Sequence, residues 1–219
     1  ETIDKLRAER AAFEAKRLEA RRGFMFDILK EKDNATPITV GKDLNKESKE
    51  VINQLLSIIP KNKMSEYEMG RLGDFFISVE QVGKGQIGSY TEALGKIKMP
   101  KRLFTKEGLT AQGRKTLAHE FGHHLSYRID GAMAKQNAFF ERRTAGEKIK
   151  PLPGYHKSVL GKHDKFANLD VYAGRIYEEG DFPEVSAVGF EHFFNDPMTM
   201  AEKDPEWFEL IIKMLKKIN

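Results

Sequence analysis

The sequence predicts an α+β domain, mostly helical, with a small mixed sheet and one functional helix carrying an HExxH pattern. Three observations predict it. The stretch TLAHEFGHHLSYR (116–128) repeats apolar residues at four-residue spacing, DFFISVEQV, GQIGSY and GKIKMP ahead of it have strand composition, and the C-terminal third reads as helix after helix. At 219 residues the chain accommodates one compact domain and an appendage.

The appendage comes first. Residues 1–32 are rich in Ala, Glu, Lys, Arg and Leu, and their nine basic and seven acidic side chains nearly cancel, the pattern of a long solvated helix. Arg10 and Arg17 interrupt its heptad seam, which argues against a long coiled coil and for a linking or docking helix that meets a protein partner. The break at DNATP divides the chain into this helix, 1–35, and a domain over 36–219. The chain begins at Glu1 rather than Met, which we read as a start inside a longer gene product or after processing.

Within the domain, KESKEVINQLLSII (46–59) predicts an amphipathic helix stopped by Pro60. DFFISVEQV reads as a strand, and GQIGSY with GKIKMP as a hairpin or sheet edge, the latter able to receive an extended peptide. Thr110 caps a helix over about 111–129 with Leu117, Phe121 and Leu125 on its inner face. Residues 141–168, with seven Lys or Arg against three acidic residues and several Gly and Pro, predict a long basic loop over the cleft that favours acidic substrates. DFPEVSAVGFEHFFND, PMTMAEK and DPEWFELIIKMLKK then give three helices, the last opened by Asp204 as cap and Pro205 at the first helical position.

Composition narrows the function. No apolar run approaches the roughly 18 residues of a bilayer span, so no membrane role is expected. A net charge of +4 and a pI near 9.0 are too mild to indicate nucleic acid. Cysteine is absent, so any metal must be held by His, Asp or Glu, and the composition assigns no redox compartment.

At about 3.6 residues per turn, His119 and His123 project from one helix face a turn apart, where both imidazoles reach one ion. Glu120 stands beside the first ligand, positioned to take a proton from metal-bound water. An HExxH run arises by chance in about one comparable sequence in a hundred; the capped helix and its apolar face favour the metal reading. His124 points about 100 degrees away from His123 and is expected behind the ligands or on the surface.

A catalytic zinc takes three protein ligands. Ser126 and Ile129 stand where an extended HExxHxxGxxH motif has glycine and histidine, which removes that class. Asp170 in NLDVYAG is one candidate for the third ligand, and Glu184 and Glu191, seven apart on a helix face, are the others.

HEFGHH together with YEEGDFPEVSAVGFEHFF resembles the glutamate-zincin (gluzincin) metallopeptidases, especially the anthrax lethal factor type of catalytic domain and zincin-like domains of phage structural (minor head) proteins. The resemblance covers roughly residues 85–219. It implies a zincin-like metallopeptidase fold, Zn2+ as cofactor, Glu184 as third ligand, and Tyr177, seven residues earlier, as the hydroxyl that stabilises the oxyanion. Val188 stands where the lethal factor type has a further glutamate, leaving Glu191 as second-shell partner or alternative ligand. The function implied is a zinc endopeptidase acting on a protein or peptide, in a phage or mobile-element protein or a toxin-like effector. A structural or assembly module retaining the metal with little proteolysis is the alternative.

Overall fold

The computed structural model describes residues 95–129, 131–177, 182 and 184–215, and before them 5, 7–10, 12–13, 16, 20, 39–40, 46–50, 76–79 and 88–92. It is an α+β arrangement: helices packed on a small mixed sheet. Every described position from 5 to 20 is helical and exposed, in keeping with a solvated helix, and 46–50 is helical. The remainder of those two expected helices lies outside the described residues, as does the 35/36 boundary.

Four strands make the main sheet: β1 (Thr39–Val40), β2 (Phe76–Val79), β3 (Ser89–Thr91) and β4 (Lys96–Met99), in the order β1-β2-β4-β3. The first three neighbours run parallel, and β3 turns back antiparallel to β4, with Tyr90 opposite Ile97. Gly95 permits that turn, at a φ of 56° that places it in the left-handed region. Ile97 and Met99 are fully buried while Lys96 and Lys98 between them are not, the period of two that a sheet with one covered face imposes.

After β4 a small hairpin, β5 (Phe104–Thr105) with β6 (Gly108–Leu109), leads into helix α1 (Ala111–Arg128). The Thr110 side chain accepts from the Gly113 N–H at 2.9 Å, satisfying one of the unpaired donors of the first turn. Leu117, Phe121 and Leu125 are buried, as their spacing predicts. Helix α2 (Ala132–Arg143) follows, then the hairpin β7 (Lys150–Pro151) and β8 (Leu160–Gly161), and then α3 (Glu184–Asn195), α4 (Pro197–Lys203) and α5 (Pro205–Leu215). Asp204 accepts from the Trp207 N–H at 3.1 Å, so that Asp-Pro start behaves as read, and Asp196 caps α4 in the same way through the Thr199 N–H.

The basic 141–168 segment differs from the expected loop. Arg142 and Arg143 are the last turn of α2, and the rest folds back as a packed hairpin. Arg143 is pinned to buried Asp204 and lies over the Phe166 ring at 4.8 Å. Lys150 meets Asp164 at 2.7 Å, and Glu147 accepts from the backbone of Asp164 and Lys165. Phe166, stacked on Phe140 and edge-on to Trp207, anchors the segment. Counting charge in the sequence missed this because Arg142 and Arg143 find their acids, Glu206 and Asp204, on a distant element, and Lys150 finds Asp164 only once the hairpin has folded back.

Helices α1 and α3 meet at Gly122, where an added Cβ would lie 2.6 Å from the Ala187 Cα and 2.9 Å from the Ser186 carbonyl oxygen. Backbone, not a flexible side chain, occupies that space. A buried polar junction fixes the register: Ser126 of α1 donates to Gln136 of α2 at 3.2 Å, and Ser186 of α3 donates to the same oxygen. Trp207 of α5 donates to the Val185 carbonyl at 2.9 Å, holding the start of α3 from behind. Replacing Gly122 by Ala should therefore destabilise the fold by about 1–3 kcal/mol despite alanine's better helix propensity. Urea unfolding measures this, and an unchanged or raised midpoint would contradict the tight crossing.

Candidate metal centre

Helix α1 delivers His119 and His123 with ring centroids 4.9 Å apart and planes at 84°. The crossing at Gly122 brings in Glu184, the first residue of α3, whose side chain is almost entirely buried. Its Oε2 lies 3.3 Å from His119 Nε2 and 3.7 Å from His123 Nε2. One ligand atom from each of these three residues falls within 4.8 Å of the others, a group that can hold a metal ion.

The donor set passes a direct test of fit. Ligand atoms about 2.0–2.2 Å from a tetrahedral ion stand roughly 3.3–3.5 Å apart, close to the two carboxylate–imidazole separations. Glu184 Oε2 is buried and, among the described residues, has only the two imidazoles in ion-pair range, whereas its Oε1 accepts from the Tyr177 hydroxyl. A buried carboxylate oxygen facing two imidazole nitrogens calls for positive charge beside it, supplied by a protonated His119 or by a metal ion in its place.

Glu191 occupies a different place. About two turns along α3, Glu191 has its Oε2 3.5 Å from His119 Nδ1, the nitrogen turned away from Glu184, while its Oε1 is 4.0 Å from Lys115 Nζ. It thus orients the ring rather than completing the group of three. Asp170 also lies outside that group: it accepts from the Tyr172 N–H at 2.9 Å and faces His192 at 3.9 Å.

Glu120 is nearly buried beside His119 and accepts from the Tyr90 backbone N–H of the β3 edge strand. Burial raises its carboxyl to about 7, with the His119 charge opposing and Glu184 adding to the rise. Burial also lowers His123, to about 4, with Glu184 opposing. For His119 burial acts the same way, but hydrogen bonds to Glu184 and Glu191 outweigh it and raise the imidazole to about 10. Burial would raise Glu184; bonding to His119 and the nearby imidazoles overcome it and hold the carboxyl below its usual range. Tyr177 is pushed up by burial and by Glu184, and stays a neutral donor.

His124 is not on the surface. It is buried, edge-on to Tyr90, with its Nδ1 3.1 Å from the Tyr90 hydroxyl, so it ties α1 to β3 behind the ligands.

Sequence reading overlooked Tyr172, Arg175 and Tyr155. The Tyr172 ring is 6.2 Å from that of His119, and Arg175 donates to the Tyr172 hydroxyl while its guanidinium lies 4.2 Å from the Tyr177 ring centre. The signal was the density of Tyr and Arg in VYAGRIY, directly ahead of Glu184. Tyr155, from the β7–β8 hairpin, stacks on Tyr172 at 4.9 Å.

A cleft spreads to both sides of His119 and Glu120. One lobe, about 550 Å³, is bounded by Tyr90, Tyr127 and Tyr177 and contains His123 and Glu184. The other, about 410 Å³, lies toward the start of α1, between Gln112, Lys115, Tyr155 and Asp170. No protein family, curated protein or solved structure matches the chain in comparison.

Two measurements follow from this geometry. Glu184→Gln should weaken zinc binding far more than Glu191→Gln, for which about 10–100-fold is the usual scale of such a supporting carboxylate; competition against a chromophoric chelator ranks them, and the reverse order would move the third ligand. At pH 8.5, above the Glu120 value of about 7 and below the His119 value of about 10, an ion must displace the His119 proton. Zinc titration calorimetry in buffers of different ionisation enthalpy should then show about one proton released. Apparent affinity should rise with pH up to about 10 and level off above it.

Proposed function

We propose that this chain is a zinc-dependent endopeptidase with a zincin-like architecture, in which His119, His123 and Glu184 hold the ion and Glu120 acts as general base. The observation that carries the reading is the buried Glu184 Oε2 aimed at both His Nε2 atoms, next to a carboxyl that burial raises to about 7. A purely structural ion site has no use for such a carboxyl or for a neutral phenol at the same carboxylate.

When bound, Zn2+ supplies Lewis acidity and makes water easier to deprotonate near neutral pH. The protein's own groups do the rest. Glu191 at Nδ1 keeps the His119 proton on that nitrogen and leaves Nε2 as donor to the ion. Glu120, held by the Tyr90 N–H, accepts a proton from the attacking water and returns it to the departing amine nitrogen. The Tyr177 hydroxyl, already turned toward Glu184, donates to the carbonyl oxygen as negative charge develops on it. Among the described residues β3 ends the sheet, and its outer edge can receive the substrate as a further strand.

With zinc-loaded protein and a generic peptide mixture, Glu120→Gln should lose cleavage by at least about a thousandfold while keeping its zinc, and Tyr177→Phe should lose about 10²–10³-fold in kcat. Mass spectrometry of the products and metal analysis of the same samples check both. Wild-type protein that holds zinc yet leaves every peptide intact would defeat the peptidase reading.

A further inference from the structure

The lobe toward the start of α1 has a wall that the chemistry above does not use. Tyr155 and Tyr172 stack at 4.9 Å with planes at 27°, making one continuous aromatic surface from the hairpin tip to the side of His119. Tyr155 is about half exposed, so one face of the pair remains open to a guest.

Three carboxylates face that surface, and the cations beside it are Lys115, His119 and Arg175, the last lying over the Tyr172 ring at 5.4 Å and so leaving Tyr155 as the ring a guest would meet. Asp170, Glu191 and Glu120 line the lobe, and Lys115 is the one lysine or arginine among its described lining residues. Lys115 is more than half exposed and reaches Glu191 only at 4.0 Å, which leaves it little hold on that carboxylate. Asp170 uses Oδ1 to cap Tyr172, and among the described residues Oδ2 faces His192 at 3.9 Å, an imidazole whose pKa burial lowers. The Tyr155 hydroxyl is raised by burial and then by Asp170, Tyr172, Glu184 and Glu191. Three basic residues of the neighbouring segment, Arg142, Arg143 and Lys150, are engaged by Glu206, Asp204 and Asp164.

We propose that this lobe is a subsite for a cationic side chain of the substrate, lysine or arginine, which lies along the Tyr155 ring with its charge toward Asp170 and Glu191. The assignment rests on the peptidase reading and reverses the preference for acidic substrates suggested by the basic count of residues 141–168. Aromatic faces attract cations, guanidinium above all, and a carboxylate pair supplies the acceptors that a buried positive charge requires. At about 410 Å³ the space is of the size that binds ligand groups.

The test is binding, so that it stands apart from turnover. Zinc-loaded Glu120→Gln protein is titrated with hexapeptides in which a single arginine moves through the sequence, each paired with a twin carrying uncharged citrulline and another carrying glutamate. At one register the arginine peptide should bind about tenfold more tightly than its citrulline twin, the scale of a partly desolvated cation–π contact with a carboxylate partner. Asp170→Asn, which keeps the oxygen that caps Tyr172, and Tyr155→Ala, at a half-exposed position, should each remove most of that difference. Equal affinities at every register, a preference for glutamate, or no binding at millimolar peptide overturns the subsite. Arginine-selective binding with no cleavage by the zinc-loaded wild type retains the subsite and refutes the peptidase.

Discussion

The structure depends on one close contact, the crossing of α1 over α3 at Gly122. With no side chain there, the backbone of Ala187 and Ser186 comes within van der Waals reach of α1. The first residue of α3, Glu184, is thereby buried against the two imidazoles a turn apart on α1. The Ser126–Gln136–Ser186 junction sets the register of that crossing, and Trp207 secures it from the other side through Val185. A carboxylate buried in this way, with one oxygen satisfied by Tyr177 and the other turned to the two imidazoles, makes sense chemically as part of a cation site.

The polar shell around the three side chains is layered. Glu191 engages the far nitrogen of His119, the Tyr90 N–H engages Glu120, and Arg175 engages Tyr172 while covering the face of Tyr177. Each functional group is thus oriented by a partner from a different element. The sheet contributes the edge strand, the C-terminal helices contribute the ligand, and the 144–177 segment contributes the aromatic wall.

Much of this was legible in the sequence, for physical reasons. HExxH on a capped helix brings two imidazoles and a carboxylate to one place because helical periodicity alone positions them. The Asp204-Pro205 start of α5 and the β3–β4 hairpin were readable from local chemistry. The third ligand was not decided by spacing, since Glu184 and Glu191 share a face; only the tertiary crossing puts Glu184 at the Nε2 atoms and Glu191 at Nδ1. Ser126 and Ile129, where an extended motif would carry a glycine and a third histidine, prove to be buried structural residues. The 141–168 segment was misread as a loose basic loop because the partners of its charges, Asp204 and Glu206, are some sixty positions away. His124 was read as turned away from the ligands, and it is, but burial against Tyr90 could not be seen from a helical wheel.

The most direct test of the central claim is crystallographic. An anomalous-difference map at the zinc absorption edge, from crystals of zinc-loaded protein, should show a single strong peak about 2.0–2.2 Å from His119 Nε2, His123 Nε2 and Glu184 Oε2. A peak on Glu191 or Asp170 instead, or imidazoles of His119 and His123 left without metal at full zinc loading, would contradict the account.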